Sequence, residues 1–325
     1  MGLRMSDRSF FTTLAEGRSV IKVTKYEALG NDFLVLIDLE EKLSFSEELA
    51  VFLCDRHLGL GADGLIRISA PDDLKTFKMT LRNADGSLAE TSGNGLRCSA
   101  LAVILEVLPS ASVHDGRAFP KGGEIKISLQ TAVDILEASC HFPVENDATK
   151  IMAEISMGTV SVQAIESPIE NTFAFKVNAG NPHLVICGDD FHALDLAKIG
   201  REQDSAYEEG TNVEFLEIGE APFSNRDNFP MTVWERGVGL TRACGSGSVA
   251  SAAALATLFR SKSTAVSIEI PETYVISNPG GDLRVRINYL EEGKYFTYLY
   301  GPAQFVAQAD VVLPDKIAKK TKAGI

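Results

Sequence analysis

Apolar residues follow two different spacings along this chain of 325 residues. Apolar positions that alternate with polar ones, or that form short runs between turn residues, predict β-strands. Such segments fall at 20–39 (two strands around a Gly-Asn-Asp turn), 65–68, 77–83, 125–129, 133–138, 151–156, 173–178, 183–187, 212–218, 231–235, 266–270, 274–276, 283–287 and 295–300. Helical spacing predicts helices at 46–57, with Ser44 as cap, and at 93–108, 194–200 and 245–260.

Each half of the chain therefore has many short strands and one long helix that is apolar on nearly every side. Helices of that kind are buried, and the strict βαβ alternation of a doubly wound sheet is missing. The pattern predicts an α/β (α+β) fold of two pseudo-symmetric domains, each a curved, mostly antiparallel sheet wrapped around a central helix. We expect a frayed N-terminal extension at 1–20, one domain at 21–160 joined by 300–314, a second domain at 161–299 after a break at Met157-Gly158, and a solvated basic tail at 315–325.

A motif that occurs twice supports the prediction of two related domains. S-G-N-G (92–95) opens the first long helix, and C-G-S-G (244–247) opens the second. Asn83 lies nine positions before the first motif, and Glu235 lies nine before the second. Gly-Asn turns at Gly30 and Gly180 lie 62 and 64 positions before them. This order indicates an ancient duplication with an active site where the halves meet, one half offering a hydroxyl and the other a thiol.

Composition narrows the classes of function. A net charge of −13 argues against a nucleic-acid or anionic membrane surface. No apolar run reaches the ~18 residues of a membrane-spanning helix, and 1–20 lacks the features of a secretion signal. The five cysteines, Cys54, Cys98, Cys140, Cys187 and Cys244, show neither C-x-x-C nor zinc spacing, which favours a reducing cytoplasm. We expect a cytoplasmic protein with a small-molecule partner, no nucleic acid and no membrane, and a homodimer stays open.

The two helix starts are candidate anion sites. The first turn of a helix has unpaired N–H groups and a partial positive charge, and glycines let a carboxylate approach them closely. At such a position the thiol of Cys244 should have a pKa below its free value of ~8.5. Ser92 would begin an equivalent site in the other half. Each motif alone is also explained by capping, whereas the duplication favours a functional site. The other four cysteines are expected to be buried core residues.

Polar residues in the surrounding turns supply further candidate ligands. Asparagines favour turns for local reasons, so each one alone has a structural explanation. As a set, with an arginine for a carboxylate and a glutamate for an ammonium group, they indicate a site for a zwitterion. His183 is either a ligand contact or a structural residue. The set comprises Asn31, Asn83, Asn181, Asn212, Glu235 and Arg236.

The chain resembles the diaminopimelate epimerase family at these residues. The matching segments include A-L-G-N-D-F-L-V-L-I-D (28–38), G-A-D-G-L-I (61–66), N-A-D-G-S-L-A-E-T-S-G-N-G-L-R-C (83–98), N-A-G-N-P-H-L-V (178–185), T-N-V-E-F (211–215), W-E-R-G-V-G (234–239) and A-C-G-S-G-S (243–248). The resemblance implies an active site in the cleft between two domains, without pyridoxal phosphate, any other cofactor or a metal. It implies two cysteines that face each other across the substrate α-carbon. It further implies the six polar residues above as substrate ligands and Gly93, Asn94, Gly245 and Ser246 as the cradle of the reacting carboxylate.

Ser92 departs from the family, because the first catalytic cysteine aligns with this residue. A hydroxyl is a far weaker acid than a thiol, and acid–base catalysis works best with a pKa near the working pH. Three explanations stay open: a deliberate substitution, a natural variant that still works, as in proline-racemase-like enzymes with one serine and one cysteine, or drift to another amino-acid reaction. Leu240, where many relatives have an acidic residue, is a smaller departure.

Three hypotheses about function follow. The first is an epimerase that interconverts LL- and meso-diaminopimelate for lysine and peptidoglycan precursors by two-base proton transfer at the α-carbon. The second is a one-base enzyme of the same fold, such as a dehydratase or a double-bond isomerase of the phenazine-biosynthesis type. The third is a non-catalytic amino-acid binder. Cys244, the Glu235-Arg236 pair and the asparagines favour the first, since a binder has little need of the thiol.

Overall fold

The computed structural model describes residues 11–13, 19–70, 76–89, 92–108, 124–142, 149–219, 228–263, 270 and 272–321. The chain forms two compact units. The first comprises Met1–Glu90, Gly95–Ile151 and Ala303–Ile325, and the second comprises Thr91–Asn94 and Met152–Pro302. The strand expected at 266–270 lies outside the described residues except for residue 270. The domain boundaries at 160 and 300 stay a prediction.

Short strands and one long helix make up most of the first unit. Its strands are β1 (Phe11–Thr13), β2 (Ser19–Ala28), β3 (Asn31–Ile37), β4 (Gly64–Ser69), β5 (Thr76–Asn83), β6 (Leu88–Ala89), β7 (Glu124–Gln130), β8 (Ile135–His141) and the beginning of β9 (Lys150–Ile165). Its helices are α1 (Glu47–Cys54), α2 (Gly93–Ala102), which continues as a π-helical turn (Val103–Val107), and a C-terminal helix described below.

The second unit repeats this plan. Its strands are the rest of β9, β10 (Phe173–Asn178), β11 (Pro182–Gly188), β12 (Asn212–Glu217), β13 (Asn228–Glu235), β14 (Gly239–Thr241), β15 (Thr273–Asn278), β16 (Gly281–Glu291) and the beginning of β17 (Lys294–Val312). Its helices are a 3₁₀ turn (Phe191–Ala193), α3 (Leu196–Ser205) and α4 (Gly245–Ser263). After Pro302, β17 passes into the first unit and is followed there by α5 (Asp315–Thr321).

The hydrogen bonds between strands show the duplication directly. In the first unit β2–β3 is antiparallel, β3–β4 parallel, β4–β5 antiparallel, β5–β7 parallel and β7–β8 antiparallel. In the second unit β10–β11, β11–β12, β12–β13, β13–β15 and β15–β16 follow with the same directions in the same order. The end of β17 pairs with β2, just as the end of β9 pairs with β10. The predicted fold class is therefore confirmed.

The alternation of side chains along the strands explains where the helices of the second unit pack. One face of its sheet carries Phe215 and Leu184, which form an apolar cluster with Leu196 and Ile199 of α3. The central helix α4 contacts β10, β11, β12, β15 and β16, and Ser251 in this helix donates a hydrogen bond to the sulphur of Met231 on β13. Because α4 is buried on nearly all sides, it is the central helix that the apolar pattern predicts.

The first unit distributes its helices in the same way. Leu49 and Leu53 of α1 join an apolar cluster with Leu34 and Leu65 on one side of the strands. On another side, the π-helical turn that follows α2 brings Glu106 to β2, where Tyr26 Oη donates to its carboxylate at 2.6 Å and Thr24 Oγ1 at 3.1 Å. The long helix predicted at 93–108 thus begins as an α-helix and ends in a wider turn.

Four local expectations are corrected by the structure. The cap of α1 is Ser46 instead of Ser44, because its hydroxyl accepts the N–H of Leu49. The expected break at Met157-Gly158 is absent, since β9 runs through Gly158 with a φ of 77° that suits glycine. The frayed extension includes a strand, β1, paired with β2. The solvated tail contains α5, which packs against the apolar cluster of α1 through Ile317 and Ala318.

Candidate active site

The two duplicated motifs come together in the second unit. The side-chain amide of Asn94 donates a hydrogen bond of 3.1 Å to the carbonyl oxygen of Ala243, the residue before the second motif. Gly93 and Gly245 pack against each other, because a Cβ placed on Gly245 would lie 3.1 Å from the Cα of Gly93. Only glycine allows two backbones to approach this closely. Ser92 is partly buried beside this contact, and Asn94 and Ser246 are buried.

Cys244 lies at the start of α4 with its side chain almost completely buried. Its sulphur accepts the N–H of Gly247 at 3.3 Å and lies 3.5 Å from the hydroxyl of Ser246. Its own N–H donates to the side-chain oxygen of Asn278 at 3.3 Å. Asn278 in turn donates to Ser248 Oγ at 3.2 Å. The thiol is thus held at the helix start by contacts on both sides.

The expectation of a lowered pKa at Cys244 is wrong. Burial raises the pKa of the thiol well above its ordinary value, and the nearby carboxylates of Glu235 and Glu214 raise it further. The hydrogen bonds from Ser246 and Gly247 act in the opposite direction but do not outweigh burial. The free-energy cost of removing water from a thiolate is larger here than the stabilisation that the helix start provides. The other four cysteines are buried core residues, as predicted.

Polar side chains line one face of β11, β12 and β13. His183 lies beside Asn212 in the parallel pair of β11 and β12, and Glu214 follows two residues later on the same face. His183 Nδ1 is 2.7 Å from Oε1 of Glu214, and His183 Nε2 is 2.9 Å from Oδ1 of Asn181. Three of these side chains, those of His183, Asn212 and Glu214, belong to buried residues. The predicted residues Asn181 and His183 are therefore in direct contact, and the predicted residue Asn212 lies beside His183 in the sheet.

The predicted pair of Glu235 and Arg236 lies at the end of β13. Asn212 Oδ1 accepts the backbone N–H of Arg236 at 2.9 Å, and the Arg236 guanidinium donates to the carbonyl oxygen of Glu209 at 2.8 Å. Thr241 donates its hydroxyl proton to the carboxylate of Glu235. These contacts hold both charged side chains at the strand end.

Asn31 and Asn83 belong to the first unit, where both approach the loop at Asp63. Asn31 Nδ2 donates to Asp63 Oδ2 at 2.7 Å, and the residue after Asn83 donates its N–H to the carbonyl oxygen of Asp63 at 3.1 Å. Arg56 bridges Asp63 and Asp32 through one nitrogen, at 2.7 and 2.8 Å. Burial raises the pKa of the Asp32 carboxyl, but hydrogen bonds from Arg56 and Lys25 outweigh it and leave the pKa below its usual value.

Sequence reasoning missed three residues around the thiol and the strand ends, namely Glu214, Thr241 and Asn278. Only Glu214 carries a sequence signal, a charged residue within the otherwise apolar core of the strand Asn212–Glu217. Within the described ranges, no three histidine, cysteine, aspartate or glutamate side chains cluster as metal ligands. In the same part of the chain, no helix is long and apolar enough to cross a membrane.

Comparison with known proteins identifies the family. The family model described as "Diaminopimelate epimerase" matches residues 23–135 and 175–306. The diaminopimelate epimerase of Caldanaerobacter subterraneus subsp. tengcongensis is 36% identical over 254 residues, 74% of this chain and 86% of that protein. The diaminopimelate epimerase of Thermosynechococcus vestitus is 32% identical over 293 residues, 86% of this chain and 95% of that protein.

Solved structures show the same fold at low sequence identity. The phenazine biosynthesis protein of the PhzF family from Bacillus anthracis superposes with a TM-score of 0.64 at 12% identity, covering 90% of this chain and 99% of that one. By fold and relatives, the chain is an isomerase of the amino-acid epimerase class, which works without pyridoxal phosphate. It belongs to the diaminopimelate epimerase family.

Proposed function

We propose that this protein interconverts LL- and meso-diaminopimelate by moving the proton on one α-carbon, with Cys244 on one face and Ser92 on the other. The observation that carries the proposal is the fastening of the two helix starts to each other by the Asn94–Ala243 hydrogen bond and the contact of Gly93 with Gly245. Two helix starts this close can share one carboxylate and stabilise the charge that develops on it when the α-proton leaves.

The polar residues would bind the rest of the zwitterion. Glu235 would take the ammonium group, and Arg236 would take a carboxylate. Gly93, Asn94, Gly245 and Ser246 would cradle the reacting carboxylate. The remaining contacts would come from Asn31, Asn83, Asn181, His183 and Asn212. We further propose that the protein is cytoplasmic, as the cysteine pattern of the sequence favours.

The charge around Cys244 fits a thiol that ionises on substrate binding. Glu235 and Glu214 oppose formation of the thiolate. A bound ammonium group would offset these negative charges and lower the cost of removing the thiol proton. The thiolate could then accept the α-proton of the isomer whose hydrogen faces it. Return of a proton on the opposite face falls to Ser92, whose hydroxyl is a poor acid at neutral pH.

Ser92 favours a second candidate function, one-base chemistry at Cys244. In that case the protein would remove and return the α-proton on the same face, or would eliminate a substituent from another amino acid. Both candidates require the thiol, and they differ in whether the configuration of the α-carbon changes.

Incubation with LL- and with meso-diaminopimelate in D₂O tests the proposal. Mass spectrometry would follow deuterium at the α-carbon, and chiral chromatography would follow the isomers. We expect deuterium uptake with slow conversion between isomers, because only one face has a thiol. Cys244→Ser should abolish uptake, and Ser277→Ala, in a partly buried serine whose hydroxyl contacts Asn228 and Asp282 instead of the motifs, should leave it unchanged.

The outcomes separate the hypotheses. Uptake of deuterium without any change of configuration would replace the epimerase by a one-base enzyme. Binding of diaminopimelate without uptake in either isomer would leave an amino-acid binder and would end both catalytic proposals.

A further inference from the structure

Glu214 is a completely buried carboxylate beside the thiol of Cys244. A Cβ placed on Gly247 would lie 2.6 Å from Oε1 of Glu214 and 3.2 Å from the sulphur of Cys244. The oxygen of Glu214 and the sulphur of Cys244 therefore lie on either side of Gly247, within about 6 Å of each other, and a side chain at position 247 would collide with the oxygen. A carboxylate within ~4–6 Å of a thiol opposes the formation of a second negative charge.

The two oxygens of this carboxylate have different surroundings. Glu214 Oε1 contacts His183 Nδ1, while Oε2 is buried with no hydrogen-bond partner in the part of the chain that the structure describes. A buried charged group without its full set of partners is costly, so a fold that retains one commonly has a use for it. Replacement by an apolar residue would remove this cost, which makes a purely structural role a poor explanation.

We propose that Glu214 is a positioning residue that, together with His183, keeps Cys244 protonated until a positively charged substrate enters the site. The contact of 2.7 Å with Nδ1 holds Oε1 of Glu214 in place, and the contact of Asn181 with Nε2 holds the imidazole ring. The carboxylate cannot turn away from the thiol without losing its histidine partner. The importance of this arrangement for turnover rests on the proposed function, whereas its effect on the thiol does not.

Several other groups around the thiol also influence the pKa of Cys244. Glu235 on β13 is the second carboxylate that raises the pKa of Cys244, and Ser246 and Gly247 on α4 lower it through hydrogen bonds. Glu214 on β12 differs from Glu235 in two respects. It is fully buried, and it is hydrogen bonded to an imidazole.

The pH dependence of Cys244 alkylation tests the proposal without any substrate. The full-length protein would be treated with iodoacetamide at a series of pH values, and peptide mass spectrometry would report the rate at Cys244 alone. Glu214→Gln should move the midpoint of the profile to lower pH by about one unit, because it removes the neighbouring negative charge. Glu214→Asp, which retains the charge, should stay closer to the parent.

Glu217→Gln is the matched control. Glu217 lies on the same strand, and its carboxylate also contacts a histidine, His192, at 3.3 Å. This substitution should leave the Cys244 midpoint unchanged. A folded Glu214→Gln variant with the parent midpoint would overturn the proposal. If that variant does not fold, the alkylation midpoint of Cys244 in the parent protein is the test. A parent midpoint at or below the free value of ~8.5 would also overturn the proposal.

The alkylation and deuterium experiments fail independently of each other. A shifted midpoint in a protein that exchanges no α-proton would keep the positioning role and reject the proposed function. If the protein epimerises and Glu214→Gln leaves the midpoint unshifted, the proposed function stands and the positioning role is rejected.

Discussion

The side-chain amide of Asn94 donates a hydrogen bond to the carbonyl oxygen of Ala243, 149 positions further along the chain. This bond joins the start of α2 to the residue before Cys244, both within the second unit, so the two duplicated motifs are fastened to each other where they begin. Asn94 is 3% exposed, and water therefore cannot easily take its place as the hydrogen-bond donor to Ala243.

Replacement of Asn94 by alanine should destabilise the protein. The carbonyl group of Ala243 would lose its buried donor, a loss that costs about 1–3 kcal/mol. Urea unfolding monitored by circular dichroism would measure the change. Asn228→Ala is the control, since Asn228 donates to Ser277 at the surface, and it should change stability by less than about 0.5 kcal/mol. Equal effects of both substitutions would contradict the fastening role of Asn94.

Gly245→Ala should separate the two helix starts. The added Cβ would lie 3.0 Å from Cδ2 of Leu299 and 3.1 Å from Cα of Gly93. A side-chain end can rotate away, but a backbone atom cannot, so overpacking should cost about 1–3 kcal/mol. Calorimetric titration should also show weaker binding of diaminopimelate.

Leu299→Ala serves as the diagnostic partner for this substitution in a double-mutant cycle. If Gly93 is the limiting contact, Leu299→Ala should not rescue Gly245→Ala. Full recovery of binding in the double variant would assign the effect to the leucine side chain instead.

Much of this molecule follows from local sequence patterns. The alternating residues at 173–178 and the short apolar run at 183–187 predict β10 and β11 almost to the residue, because β10 is partly exposed and β11 is buried along nearly its whole length. The protonation of Cys244 does not follow in the same way. The helix start is visible in the sequence, whereas the burial and the carboxylate of Glu214 depend on strands that meet only in the fold.

Similar limits apply to single side chains. Ser44 and Ser46 are both acceptable caps, and only the backbone direction at the start of α1 selects Ser46. The role of Glu214 depends on its pairing with a histidine 31 positions away, which no local pattern reveals.

Stability should fall in alkaline solution because several buried thiols resist ionisation. Burial raises the pKa of both Cys54 and Cys140 to about 12, and it raises the pKa of Cys187 above its ordinary value as well. In the unfolded chain these thiols ionise near pH ~8.5. The folded state then holds more protons than the unfolded state, so their contribution is complete below that pH and is lost as the pH rises toward the folded pKa values.

Each such thiol should remove about 1.4 kcal/mol from the free energy of unfolding per pH unit above this point. Cys187→Ala lowers stability at neutral pH through the lost volume, but it should make the alkaline slope shallower by that amount. Denaturant unfolding at about pH 8, 9 and 10 would compare the slopes. Parallel slopes in parent and variant would show that Cys187 does not retain its proton.

Ser92→Cys should turn slow, one-sided proton exchange into efficient epimerisation. A thiol placed opposite Cys244 can donate a proton to the α-carbon much more readily than the weakly acidic hydroxyl of Ser92. A positioned acid or base contributes ~10²–10⁴-fold to the rate. Ser92 is only partly buried, so the larger sulphur atom should fit without loss of stability. Isomer ratios measured over time, starting from the pure LL and the pure meso forms, would give the rate in both directions. Ser277→Cys adds a thiol at another partly buried serine and should leave that rate unchanged. If the parent already epimerises as fast as the Ser92→Cys variant, then the hydroxyl is a competent acid in this site, and the argument from its weak acidity fails.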